Sequence, residues 1–174
     1  MIRLSLTALI LLFSWALVVP TAAQISISNS PSTSPVVGTV VRGSLASTFR
    51  ISTSGVVTRP IGDATRLSTS SVTVPTVMIT CGTSKDCNNK DVRVTITATG
   101  ASGAGSITLF RVGSLSGTTY NTSAPAEAAS LTFDVNPLGS GRSASFPLGM
   151  DVRLAAGAAS GSATYTYSVS VTFV

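Results

Sequence analysis

The stretch Ala163 to Val174 reads ATYTYSVSVTFV, and its pattern decides the fold class of the chain. Apolar or aromatic side chains occupy every second position, and Thr or Ser fills the positions between them. The apolar set consists of Tyr165, Tyr167, Val169, Val171 and Phe173. Strict alternation predicts a β-strand with one apolar and one polar face, and β-branched and aromatic residues favour that conformation. Because termini are often loose, a chain that ends on such a strand is expected to have this strand paired.

Short alternating segments recur through the rest of the chain, separated by turns rich in Gly, Ser and Asn. No segment sustains a helical period. Many short strands with frequent turns predict an all-β protein, specifically an antiparallel Ig-like β-sandwich. The predicted strands before the last one are Val36 to Arg42, Leu45 to Ile51, Gly55 to Arg59, Ser71 to Cys81, Asp91 to Thr99, Ser106 to Val112, Ser130 to Val135, Ser143 to Leu148 and Met150 to Leu154.

Residues 1–23 have the layout of a secretory signal peptide. A short basic start, Met1 to Arg3, precedes an apolar run from Leu4 to Val19, and small residues lead to Gln24. This pattern predicts cleavage after Ala23. The alternative is a membrane anchor, but the apolar run is shorter than the roughly 20 residues that a spanning helix needs. No membrane span is predicted after cleavage.

Residues 24–37 form a predicted N-terminal extension ahead of the domain at residues 38–174. Gln24 to Ser28 alternates briefly, and the Ser- and Pro-rich stretch after it cannot be helical because Pro31 and Pro35 interrupt it. The extension is therefore expected to be an arm that becomes a strand only when another strand pairs with it.

The chain has two cysteines, Cys81 and Cys87. Export implies an oxidising compartment, and an even number of cysteines favours a disulfide. A metal site would need more ligands, and a redox pair usually has two residues between its cysteines. We expect a structural clip, with the loop between the cysteines connecting a hairpin of the strands Ser71 to Cys81 and Asp91 to Thr99.

Composition excludes several classes of function. The net charge is +5, but the basic residues are dispersed, so no nucleic-acid surface is predicted. The chain has no His, which is the commonest general base, and no Ser has an evident base partner. Asp86 and Asp91 flank the cysteine loop with too few oxygen ligands for calcium. We therefore expect no enzyme activity, no metal and no cofactor.

The C-terminal pattern resembles that of the subunits of bacterial chaperone–usher pili. Phe173 is the penultimate residue, Gly161 is the fourteenth from the end, and Tyr167, Val169 and Val171 continue the alternating set. The resemblance implies an exported Ig-like domain that lacks one strand. Small secreted Gly/Thr/Val-rich bacterial β-domains share the same layout from Phe146 to the end.

The resemblance also implies partners and a mode of assembly. A periplasmic chaperone would hold the last strand, an outer-membrane usher would export the subunit, and the arm of the next copy would complete the fold. Ile25 and Ile27 would be the donor residues, with Val36 or Val37 as further ones. The expected product is a cell-surface filament, or fimbria, secreted through the periplasm.

A second function class stays open from the residues alone. The chain could instead be a self-complete secreted β-sandwich that binds a surface glycan or a protein, in the manner of an adhesin. An extended N-terminal arm and a strongly alternating last strand favour the pilus subunit, because strand addition needs both.

Overall fold

The computed structural model describes residues 24–103, 105–157 and 163–174. The expected signal peptide, at 1–23, and Gly161 lie outside the described residues. The described elements, in chain order, are β1 (Ile25–Ser30), β2 (Val40–Val41), β3 (Ser47–Ile51), β4 (Val57–Ile61), β5 (Thr65–Arg66), β6 (Thr76–Cys81), α1 (Asp86–Asn89), β7 (Val92–Ser102), β8 (Gly105–Val112), β9 (Ser130–Val135), β10 (Ser143–Leu154) and β11 (Thr164–Phe173).

The protein is all-β, and its strand pairs are antiparallel. The larger sheet has the order β1-β6-β10-β3-β4, with β8 also paired to β10. The second sheet has the order β11-β7-β9, and β2 and β5 form a small ribbon. β10 organises the larger sheet because its first half pairs with β6 and its second half pairs with both β3 and β8.

The two larger sheets share one apolar core. Alternation puts every second side chain of β3, β6, β7 and β9 into this core, as the buried Phe49, Ile79, Ile96 and Phe133 illustrate. Aromatic edges meet within it, since the ring of Phe133 packs against the rings of Tyr120 and Phe146. Burial of this apolar surface is the main force that holds the sheets together.

One expected connection is wrong. β6 and β7 do not form a hairpin, because β6 pairs with β1 and β10 whereas β7 pairs with β11 and β9. The cysteine loop and α1 therefore carry the chain from one sheet to the other. A pattern of period two indicates a strand but does not determine which strand is its neighbour.

Several segments differ from their expected bounds, among them the predicted strand Ser71 to Cys81, which forms a strand only from Thr76. The predicted strand Val36 to Arg42 is paired only at Val40–Val41. The two predicted strands between Ser143 and Leu154 form the single strand β10, which continues through Gly149. Gly149 permits close packing there, because a Cβ atom would lie 2.7 Å from the carbonyl oxygen of Ile51 and 2.8 Å from Cγ of Arg111.

Candidate functional site

The N-terminal strand β1 lies at the edge of the larger sheet. All six of its residues are in register with β6, from Ile25 opposite Cys81 to Ser30 opposite Thr76. Ile25 and Ile27 are half-buried and pack against the core, whereas Ser26 and Ser28 are exposed. The predicted arm is thus a paired strand within its own chain, with the two expected donor isoleucines turned inward.

The C-terminal strand β11 lies at the edge of the second sheet. It pairs with β7 along its length, with a register shift between Thr166 and Tyr167. Its apolar face turns toward the core, as the alternation predicts: Tyr165 is buried, and Tyr167, Val169, Val171 and Phe173 are half-buried. Among the described strands, none forms a ladder with the other edge of β11.

β1 lies next to β11 without being joined to it in a ladder. β1 starts opposite Cys81, and β11 ends opposite Val92. Cys81 and Val92 lie at the same end of the molecule, so the two strands run in opposite directions. β1 is therefore hydrogen-bonded to β6 and also lies near β11. We call this position the strand seat: its walls are β6 and β11, and its occupant is β1.

Two other outer edges of the sheets are covered or interrupted. At β9, bridging residues cover the edge, since Tyr120 pairs with Val135 and Asn121 donates its backbone N–H to the carbonyl oxygen of Asp134. β4 contains Pro60, which lacks the N–H that a further ladder would require. Among the described strands, β11 thus combines a half-buried apolar face with an edge that has no ladder partner.

The disulfide fixes one end of the strand seat. Cys81 and Cys87 are bonded, as expected, and both are fully buried. The carbonyl oxygen of Gln24 accepts a hydrogen bond from the backbone N–H of Gly82 at 3.0 Å and lies 3.4 Å from the Cys87 sulfur. The clip therefore supports the residue that immediately precedes β1.

The second half of the arm is anchored separately. Pro35 and Val37 are buried, whereas Val36 is 74% exposed, so only Val37 of the two expected additional donor residues faces the core. The carbonyl oxygen of Val37 accepts a hydrogen bond from Nε of Arg66 at 2.6 Å, and that of Pro35 accepts one from the hydroxyl of Tyr165. A cavity of about 1110 Å³ lies between this anchored segment and the start of β11.

Burial around this anchor changes the chemistry of one side chain. It raises the pKa of the Tyr165 hydroxyl to about 12, so this group stays protonated and can donate its hydrogen bond at any physiological pH. The hydrogen bond from Tyr165 in β11 to the arm therefore persists throughout the physiological pH range.

A charge network built on the buried residues Arg111 and Asp151 lies outside the strand seat. Arg111 donates to Asp151 at 2.6 Å and to Glu127 at 2.9 Å, and Asp151 also accepts from Arg50. Hydrogen bonds from Arg111 hold the pKa of Glu127 below its usual value. Arg111 lies between Phe110 and Val112, and a charged residue inside an apolar strand is the signal that could have revealed the network.

The acidic side chains beside the cysteine loop take part in local contacts. Within the described ranges, no group of three or more His, Cys, Asp or Glu residues is arranged to hold a metal ion. Asp86 forms an ion pair with Lys90 at 3.4 Å, and Asp91 accepts a hydrogen bond from the side chain of Asn121. None of the helices in the described part of the chain has the length and apolar character that a bilayer crossing requires.

No family model, no curated protein and no solved structure matches this chain. The site is therefore defined by geometry alone: an edge strand of one sheet, the open edge of the other, and an N-terminal segment held between them.

Proposed function

We propose that this protein is a structural subunit of an extracellular pilus or fimbria, and that it polymerises by strand donation. The strand seat carries this proposal. Among the described strands, its occupant is an N-terminal strand that forms a ladder with β6 alone, and its C-terminal wall, β11, forms a ladder with β7 alone. Strand addition at such an edge gives affinity through backbone hydrogen bonds and selectivity through alternate side chains.

The order of the strands supports an incomplete Ig-like sandwich. In that arrangement β1, β6, β10, β3, β4 and β8 belong to one sheet, and β11, β7 and β9 belong to the other, with β11 at its edge among the described strands. The apolar face of β11 is only half-buried. A strand supplied by a neighbouring copy would cover both this face and the open edge.

The assembly partners follow from the resemblance of the C-terminal strand. A periplasmic chaperone would protect β11 before assembly, an outer-membrane usher would export the subunit, and copies of the same chain would form the filament on the cell surface. Phe173 lies opposite Val92 at the end of β11 and is half-buried against the core.

A labelled peptide that copies Gln24 to Val37 tests this function. The peptide can occupy a seat but carries no domain, so it should end growing polymers of the mature chain. We expect it to co-elute with the protein, to shorten the assemblies and to raise the melting temperature. A matched peptide with Asp in place of Ile25 and Ile27 should do none of these. A stable monomer that ignores both peptides would disprove strand donation.

One observation favours the second function, a self-complete secreted domain that binds a glycan or a protein. β1 is already seated in its own chain, so the single molecule covers part of its own edge. The cavity beside Val36 and Arg42 would be the binding surface. Binding of the folded monomer to a glycan array would support this alternative, and a lack of binding would count against it.

A further inference from the structure

We infer that a second cavity, at the outer edge of the larger sheet, is a binding site for a saccharide that carries a carboxylate or sulfate group. The cavity has a volume of about 360 Å³. Two arginines line it, Arg59 of β4 and Arg66 of β5. Four of its other lining residues carry hydroxyl groups: Thr58, Thr65, Ser68 and Thr69. We call it the arginine cavity.

The arginine cavity is separate from the strand seat. In the larger sheet, β1 lies at one edge and β4 lies at the other. The described lining of the arginine cavity also shares no residue with that of the cavity beside Val36 and Arg42. A ligand bound at Arg59 and Arg66 is therefore compatible with either of the functions proposed above.

A firmly held turn sets the positions of the two arginines. Arg59 precedes the turn at 62–64, and Arg66 follows it. The backbone N–H groups of the last two turn residues donate to the hydroxyl of Ser47, a residue of β3 that is 1% exposed. The carboxylate of Asp63 accepts two backbone N–H groups from the segment that precedes β3. Both arginines therefore extend from a backbone that is fixed to the sheet.

Backbone oxygens, and not carboxylates, orient the two guanidinium groups. Arg59 donates from Nη1 to the carbonyl oxygen of Ala64 at 2.5 Å. Arg66 donates to the carbonyl oxygen of Val37 at 2.6 Å and to that of Ser70 at 2.8 Å. Among the described residues, neither arginine forms an ion pair. These bonds leave most of the guanidinium N–H groups available to a ligand or to water.

Two positive charges without a carboxylate partner favour an anionic ligand. Like charges in one cavity raise each other's free energy, and an anion bound beside them offsets this cost. The planar guanidinium of Arg donates parallel N–H bonds to two oxygens of one carboxylate, and it binds tetrahedral oxyanions in the same way. Asp63, in the turn between Arg59 and Arg66, does not supply this anion, because backbone N–H groups of another segment bind its carboxylate.

The rest of the lining favours a saccharide as the carrier of the anionic group. The Thr and Ser hydroxyls can both donate and accept hydrogen bonds, as the hydroxyls of a sugar require. Among the described lining residues, the one aromatic side chain, Phe49, is 1% exposed, so no ring face is presented for stacking against a base. The volume is near the lower limit of small-molecule sites, about 300 Å³, which suits roughly one or two sugar rings.

Titration with four small ligands tests the site in the protein that starts at Gln24. The probes are glucuronate, glucose 6-sulfate, glucose and inorganic sulfate, and binding is followed by ligand-observed NMR, which detects it for monomer and polymer alike. We expect both anionic sugars to bind. Glucose lacks the anionic group and inorganic sulfate lacks the sugar, so each should bind at least tenfold more weakly.

A pair of charge-matched variants tests the location. Arg59 is exposed, so Arg59→Gln removes one cavity charge without opening the core. It should weaken glucuronate binding at least tenfold and leave the melting temperature unchanged. Arg142→Gln removes the same charge from an exposed residue just before β10 and is the control. That variant should bind glucuronate as the wild type does.

Four results would overturn the site. Equal binding of inorganic sulfate and glucose 6-sulfate would show an anion site without saccharide recognition. Equal binding of glucose and glucuronate would show that the arginines take no part. Loss of binding in Arg42→Gln, with none in Arg59→Gln, would place the ligand in the cavity beside the arm. The fourth is a protein that binds none of the probes. Strand donation is unaffected by all four, because it is tested by the peptide that copies the arm.

Discussion

The hydroxyl of Tyr165 donates a hydrogen bond to the carbonyl oxygen of Pro35, which ties the start of β11 to the anchored end of the N-terminal arm. Tyr165 is 8% exposed. A hydrogen bond in such a site contributes about 1 kcal/mol to stability, and its loss leaves a buried carbonyl without that partner.

Replacement of this tyrosine should weaken the anchor. We expect Tyr165→Phe to lower the free energy of unfolding by about 1 kcal/mol in urea denaturation, because the ring stays but the donor is lost. Tyr167→Phe is the matched control, since the hydroxyl of Tyr167 is buried without a hydrogen-bond partner. That control should be neutral or stabilising, and an equal loss in both variants would contradict the role of the Pro35 contact.

The same tyrosine should make stability depend on alkaline pH. Burial raises its pKa from 10.0 to about 12, so in this range the unfolded chain loses the proton while the folded chain keeps it. The contribution of Tyr165 to the free energy of unfolding is complete below pH 10. It falls by about 2 kcal/mol as the pH rises toward 12. Denaturation at several pH values should show the wild type more stable than Tyr165→Phe at pH 8 and less stable at pH 12. A constant difference would contradict this prediction.

Phe173 should matter more for assembly than for folding. It is half-buried at the end of β11, so Phe173→Ser should cost the monomer about 1 kcal/mol. If a neighbour's strand covers this side chain, the amount of filament recovered from cells should fall at least tenfold. Thr172→Ser, on the exposed face of the same strand, is the control. Normal filaments from the Phe173 variant would show that β11 only completes its own sheet and has no role in assembly.

The buried charge network should dominate the electrostatic part of stability. Arg111 is 9% and Asp151 3% exposed, so Arg111→Met leaves a buried carboxylate that keeps only Arg50 as a cationic partner. We expect a loss of about 3 kcal/mol in chemical denaturation. Arg93→Met removes a bidentate pair with Asp134 at the exposed surface and should change stability little. Equal losses of stability in the two variants would show that burial does not determine how much an ion pair contributes to stability.

Local pattern was sufficient to predict the strands that alternate most strictly. β9 runs from Ser130 to Val135 as expected, and β11 has its aromatic and Val side chains on the core side. The disulfide also followed from the number of cysteines and their expected compartment. These features depend on neighbours in sequence, so the sequence alone reveals them.

Pairing across long sequence distances could not be predicted. Ile25 lies opposite Cys81, and no local signal distinguishes that partner from another strand of equal alternation. The same limit explains the hairpin wrongly expected between β6 and β7. The meeting of Arg111 and Asp151 depends on the pairing of β8 with β10, so their burial was not evident from composition.

The mass of the protein that starts at Gln24, measured as a function of concentration, tests the central claim most directly. Analytical ultracentrifugation should show wild-type protein shifting from monomer to a series of polymers as its concentration rises. A variant with Ser in place of Ile25 and Ile27 should remain monomeric, while Ser26→Thr, on the exposed face of β1, should behave as the wild type. A wild-type monomer at every concentration, or equal polymers from the isoleucine variant, would contradict strand donation through the seat between β6 and β11.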